Sequence, residues 1–69
     1  MPSAVIRSFG YDDGRRELRI RFQSGRCYVY QDVPRETFDA MKRSFSKGEF
    51  FNEHIRDRFP FVRDTAAEE

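Results

Sequence analysis

The chain has 69 residues, 38% hydrophobic and 16% aromatic, with 13 basic residues against 12 acidic ones and a single cysteine. That length supports one small core and leaves no room for a second domain or a deep substrate cleft. A formal charge of +1 excludes a polycation, one cysteine excludes an internal disulfide, and no apolar run approaches the roughly 18 residues of a membrane span. Met1-Pro2-Ser3-Ala4-Val5-Ile6-Arg7 carries no signal-peptide run, so the expectation is a soluble cytoplasmic protein.

Val5 to Tyr11 is rich in β-branched and aromatic residues and predicts a first strand. Asp12-Asp13-Gly14 is a turn signal, so this strand forms a hairpin with the next. Its register stays open. An even loop turns Phe9 and Tyr11 inward, an odd loop turns Ile6, Ser8 and Gly10 inward, and a bulge near Ser8 directs both Ile6 and Phe9 to the core.

In Glu17–Gln23, Leu18, Ile20 and Phe22 alternate with Arg19, Arg21 and Gln23, the period of a half-buried strand. Cys27, Tyr28, Val29 and Tyr30 alternate again after Ser24-Gly25. A two-residue turn there sets Gln23 opposite Arg26. Counting outward, Phe22 then faces Cys27, Arg21 faces Tyr28, Ile20 faces Val29 and Arg19 faces Tyr30. Leu18, Ile20, Phe22, Cys27 and Val29 form the core face. Arg19, Arg21, Arg26, Tyr28 and Tyr30 share the other.

Asp32-Val33-Pro34 ends the third strand, and Pro34 suits a first helical position, where its missing N–H costs nothing. Phe38, Met41 and Phe45 recur at helical spacing and predict an amphipathic helix over 34–44. Ser46-Lys47-Gly48-Glu49 fits a capping box, and Phe51, Ile55 and Phe59 give a second helix its inward stripe until Pro60 stops it. The fold class is α+β: a three-stranded antiparallel sheet (β-β-β-α-α) with two helices packed on one face. Phe61 and Val62 fold back onto the core edge. Residues 1–63 form the single domain, and 64–69 is an acidic tail with no reason to order. Without that tail the chain has 13 basic and 9 acidic residues, a net of +4, and 11 of the basic residues are Arg.

The order GYDD, LRIRF, GRCYVYQDVP and SKGEFFNEHIRDRF resembles the KTSC domain, which takes its name from the C-terminus of some lysyl-tRNA synthetases. The resemblance spans about Ser3 to Phe61. Tyr28-Val29-Tyr30 matches the family's Y-x-Y, and Val33-Pro34 its valine–proline step. Ser46, Gly48, Phe50, Phe51, Asn52, Ile55 and Arg56 match its S-x-G-x-[FY]-[FL]-N-x-x-I-R run. Ser44-Phe45-Ser46 departs from the small residue and Ser common before the second helix. The resemblance implies a domain found both on synthetases and as a small bacterial or phage protein. It suggests RNA binding only through that attachment.

Two uses of the Tyr/Arg face stand side by side. Bases stack on Tyr28 or Tyr30 while Arg19, Arg21 and Arg26 neutralise phosphates, as in single-strand binders. Alternatively each Arg lies over its cross-strand Tyr and only braces the sheet. Ser46, Gly48, Asn52, Ile55 and Arg56 read as structural, with Asn52 and Arg56 tying the second helix to a neighbouring strand or loop. His54 packs on Phe50 four residues earlier. One His and one Cys on different elements make no zinc site, and no G-x-S-x-G elbow or phosphate-cradling glycine loop occurs. The expectation is a non-catalytic monomeric module without metal or cofactor, binding RNA or single-stranded nucleic acid. The alternative is a protein-interaction module with no nucleic-acid affinity.

Overall fold

A computed structural model describes residues 5–68, so Met1 to Ala4 and Glu69, which the readings of the domain and tail include, lie outside the described residues. The elements are β1 (Ile6–Asp12), β2 (Glu17–Phe22), β3 (Cys27–Tyr30), α1 (Arg35–Arg43), α2 (Lys47–His54), β4 (Phe61–Arg63) and a 3-10 turn at Thr65–Glu68. The sheet is antiparallel with order β1-β2-β3-β4. It has four strands, not the expected three. Phe61 and Val62 do return to the core edge, but as a strand, with Phe61 opposite Tyr30, Val62 opposite Val29 and Arg63 opposite Tyr28.

The β1–β2 register resolves in favour of a bulge. Tyr11 pairs with Leu18 and Phe9 with Ile20, while a shift between Ile6 and Ser8 brings Ile6 opposite Phe22. The extra residue lets both Ile6 and Phe9 pack on the core.

The β2–β3 register differs from the expected one by a single residue. Leu18 faces Tyr30, Arg19 faces Val29, Ile20 faces Tyr28 and Arg21 faces Cys27. The turn is the cause. Gln23-Ser24-Gly25 is a three-residue loop in which the Gly25 N–H donates to Phe22 O and the Phe22 N–H to Arg26 O, both at 2.9 Å. Gly25 has φ 95°, the left-handed conformation that closes such a loop and that glycine adopts without a Cβ penalty. A two-residue type I′ turn would need a positive φ at Ser24 as well as at Gly25, and a type II′ turn would need glycine first, whereas the three-residue loop needs a positive φ at Gly25 alone.

Because side chains alternate, that one residue moves every β3 side chain to the other face. Tyr28 and Tyr30 now share the helix-side face with Leu18, Ile20 and Phe22, while Cys27 and Val29 join Arg19 and Arg21 on the reverse. The core comprises Leu18, Ile20, Tyr30, Val33, Met41, Phe51 and Ile55.

Helix α1 starts after Pro34, which occupies the N-cap, and ends at Ser44, whose backbone is extended. The inward stripe therefore stops at Met41. Phe38 stacks on Tyr11 at 5.1 Å, but Phe45 lies beyond the helix and is fully exposed, contrary to its expected place on the sheet. The Lys47 ammonium donates to the carbonyls of Lys42 and Ser44, closing the end of α1.

Helix α2 begins as the capping motif requires, with Ser46 Oγ accepting the Glu49 N–H at 3.2 Å. It ends at His54, well before Pro60. The Ile55 and Arg56 N–H groups both donate to Phe51 O, so the chain unwinds there and Pro60 only prevents resumption. Phe51 and Ile55 are buried as expected, and Phe59 packs at the margin.

Replacing Ile20 by Ala should cost about 2–5 kcal/mol, and Phe51→Ala about 3–5 kcal/mol, because both side chains are wholly enclosed. Phe45→Ser should stay within about 0.5 kcal/mol of the parent. Chemical denaturation of the three variants checks the contrast. A Phe45 effect as large as that of Phe51 would contradict its position.

Candidate functional site

The five residues expected to form one platform are divided by the observed register. Arg19 and Arg21 lie on the reverse face, whereas Arg26, Tyr28 and Tyr30 line a cleft on the helix side. The cleft has a volume of about 660 Å³, larger than the chain length suggested. Its floor is aromatic, from Phe22, Tyr28, Tyr30, Phe51 and Phe61. Arg26 and the β2–β3 loop supply one part of its rim, and Arg56 and Asp57 another.

Three elements build this cleft. Opposite Phe22 across the loop, Arg26 leaves the sheet on the helix side. The shortness of α2 exposes the second rim, because unwinding after His54 turns Arg56 and Asp57 outward. β4 supplies the third wall, where the Phe61 ring sits 5.4 Å from Tyr28 and 5.2 Å from Tyr30. The sequence offered signals for two of these walls. Gly25 at the third loop position marks the register, and Phe61-Val62-Arg63 is short enough to be an added edge strand.

The two tyrosines differ. Tyr28 is half-buried and lines the cleft, meeting Phe22 at 5.8 Å. Tyr30 is only 4% exposed and packs edge-on against Phe51 at 5.4 Å. Burial first, with the nearby Tyr28 phenol second, pushes the Tyr30 hydroxyl up to about 12. Tyr30 is therefore mainly a core residue, and Tyr28 and Phe61 are the aromatic surfaces within reach of a ligand.

Three arginines elsewhere are engaged by carboxylates. Arg35 pairs with Asp13 and Asp39, Arg19 with Asp64 at 2.5 Å, and Arg63 with Glu68 at 2.8 Å. Arg26 and Arg56 have no carboxylate partner among the described residues. Arg56 instead donates to Asn52 Oδ1 at 3.4 Å, so this pair joins successive turns of one segment and does not tie the helix to a strand. Ser46 caps and Ile55 is core, while His54 stacks on Phe50 at 4.6 Å.

The residues 64–68 that were expected to lack order wrap the end of β3. Asp64 reaches Arg19 on the reverse face, beside the buried Cys27 thiol, and Glu68 takes Arg63 and the Cys27 N–H. Their ion pairs supply what apolar contacts do not, since the 3-10 turn buries no residue. The Arg63 side chain first, then the Cys27 N–H, hold the Glu68 carboxyl down at about 2, and Arg19 holds Asp64 below its ordinary value. Among the described residues no group of three or more His, Cys, Asp or Glu side chains is placed to hold a metal. No described helix is long and apolar enough to cross a membrane.

This architecture defines a small α+β domain, a four-stranded antiparallel sheet covered on one face by two helices. The KTSC domain model matches residues 2–59, and the chain belongs to that family. A crystal structure of a KTSC domain protein from Yersinia pestis is similar to it, with TM-score 0.85 and 33% identity, covering 93% of this chain and 90% of that one. A protein of Tsukamurella paurometabola is 39% identical over 60 residues, covering 87% of this chain and 90% of its own length. A lysine–tRNA ligase of Nostoc punctiforme is 36% identical over 58 residues, which cover 84% of this chain and 10% of the ligase. The same domain thus occurs both as most of a small protein and as a minor part of a synthetase.

Two titrations test this chemistry. Alkaline absorbance titration should show a tyrosine ionising near 12 that Tyr30→Phe removes. Because the folded value lies above the unfolded one, the domain should lose stability as pH rises from about 10 toward 12. The carboxyl of Glu68 should titrate near 2 by carbon NMR. Its folded value lies below the unfolded one, so its contribution is complete above about pH 5 and is lost as pH falls toward 2.

Proposed function

We propose that this KTSC domain is a non-catalytic binding module that takes single-stranded nucleic acid, RNA foremost, in the cleft between Arg26 and Arg56. The observation that carries the reading is the pairing of a reachable aromatic floor, Tyr28 and Phe61, with two guanidinium groups that no described carboxylate engages. Bases stack on such rings in any sequence, and arginines on either side contact the flanking phosphates. The volume falls within the roughly 300–1,000 Å³ range of ligand pockets. The similarity to part of a lysine–tRNA ligase supports RNA as the nucleic acid.

Arg19 and Arg21, on the far side of the sheet, have no part in this contact. Protein interaction is the second reading, favoured by Val5 and Phe61, whose exposure of 61% and 51% leaves apolar surface at the same cleft.

Fluorescence anisotropy with mixed-sequence single-stranded RNA at about 50 mM salt should give micromolar, salt-sensitive binding. Tyr28→Ala should weaken it by about 1–3 kcal/mol. Arg56→Ala, at a surface position where folding is not at stake, should weaken it and flatten the log–log salt slope by about 0.7. Arg21→Ala should leave it unchanged. No binding at high micromolar protein would end this reading, and salt-tolerant capture of a protein through the same cleft would support the second.

A further inference from the structure

The end of the β3–β4 ladder is irregular in a way that points to a ligand. In an antiparallel pair, residues facing each other across a hydrogen-bonded position exchange both N–H···O bonds. At Cys27 and Asp64 only half of this exchange occurs. The Asp64 N–H donates to Cys27 O at 2.8 Å, but the Cys27 N–H turns to Glu68 Oε2 at 2.9 Å. The strand stops at Arg63, so an inward donor is left for a side-chain anion to satisfy.

That anion is also held by a fork. Arg63 Nε donates to Glu68 Oε2 at 2.9 Å and Arg63 Nη2 to Oε1 at 2.8 Å, so one guanidinium engages both oxygens. A planar fork with an adjacent backbone N–H suits two oxygens of a phosphate as well as those of a carboxylate. The location adds to the chemistry. Arg63 faces Tyr28 across the sheet, and Arg26, on the cleft rim, precedes Cys27 in the chain.

We propose that Arg63 and the Cys27 N–H form a phosphate subsite at the edge of the cleft, filled by the Glu68 carboxylate in the free protein and by a phosphodiester of single-stranded nucleic acid in the complex. Its natural ligand rests on the nucleic-acid reading, but its affinity for phosphate does not. Glu68 is suited to leave. It belongs to a four-residue 3-10 turn in which no residue is fully buried. Segments held by a few polar contacts, with no buried apolar side chain, open at lower cost than the core. Segment 65–68 therefore competes with nucleic acid for Arg63, and removing the Glu68 carboxylate strengthens binding.

The test uses the full chain in three forms: wild type, Glu68→Ala and Glu68→Ala with Arg63→Ala. Glu36→Ala is a control of equal charge change at an exposed position on α1. Inorganic phosphate titrated into the Glu68→Ala protein should saturably shift the Cys27 amide resonance, and should not do so in wild type or the double variant. Glu68→Ala should also bind single-stranded RNA about three- to fivefold more tightly. Its salt slope should be steeper by about 0.7, and Arg63→Ala should abolish both gains while Glu36→Ala reproduces neither.

If the Cys27 amide of Glu68→Ala ignores phosphate and its RNA affinity matches wild type, the subsite is overturned while the cleft reading stands on its own variants. If phosphate binds but no form binds RNA, the subsite holds and the nucleic-acid reading fails. Equal gains in Glu68→Ala and Glu36→Ala, without the amide shift, would reduce the effect to net charge and overturn the subsite.

Discussion

Gly25, at φ 95°, closes a three-residue loop, and everything on β3 takes its orientation from that closure. Strand alternation has a period of two, so the count of loop residues decides which side chains meet the helices and which meet solvent. With three residues in the loop, Tyr28 and Tyr30 enter the layer that already holds Leu18, Ile20 and Phe22. The same geometry sends Cys27 and Val29 to the arginine side, where the strand and the residues after β4 enclose them. An aromatic cluster from Phe22 through Tyr28 and Tyr30 to Phe51 and Phe61 follows, with each ring edge-on or tilted against the next.

The helices are short for the layer they cover, and the cleft results from that. α1 buries Met41 fully, and α2 buries Phe51 with Ile55 just beyond its end. Unwinding after His54 leaves the β3–β4 end of the sheet without a helical roof, so its aromatic floor is reachable from solvent. Arg56 and Asp57 stand on the unwound segment as a consequence, and Arg56 lines the same cleft as Arg26.

Charge pairing then distinguishes among arginines that look alike in sequence. Asp13, Asp39, Asp64 and Glu68 each hold a particular guanidinium, and the last two hold Arg19 and Arg63 around the head of β3. Exposed ion pairs of this kind contribute little to stability, about 0–1 kcal/mol each. Their effect here is on availability: they occupy Arg19, Arg35 and Arg63, while Arg26 and Arg56, which line the aromatic cleft, have no such partner among the described residues. The acidic segment also completes a ladder that β4 is too short to finish.

Much of the chain was legible as local chemistry. Alternation placed β2, turn residues placed the first hairpin, the Ser46 cap started α2, and helical spacing identified Met41, Phe51 and Ile55 as core. The motif order from Tyr28-Val29-Tyr30 through Asn52 and Arg56 sufficed for the KTSC family. These signals are carried by neighbours in the chain, whose preferences for strand, turn or helix act over a few residues. Tertiary structure decided what depends on a count or on distant partners. The loop length at Gly25 set the face of both tyrosines, the early ends of α1 and α2 put Phe45 in solvent and opened the cleft, and carboxylates from Asp13 to Asp64 selected which arginines are engaged. Gly25 carries a local mark of the register, but the buried place of Tyr30 and the Arg19–Asp64 pair depend on packing and charge between separated segments, which no local pattern encodes.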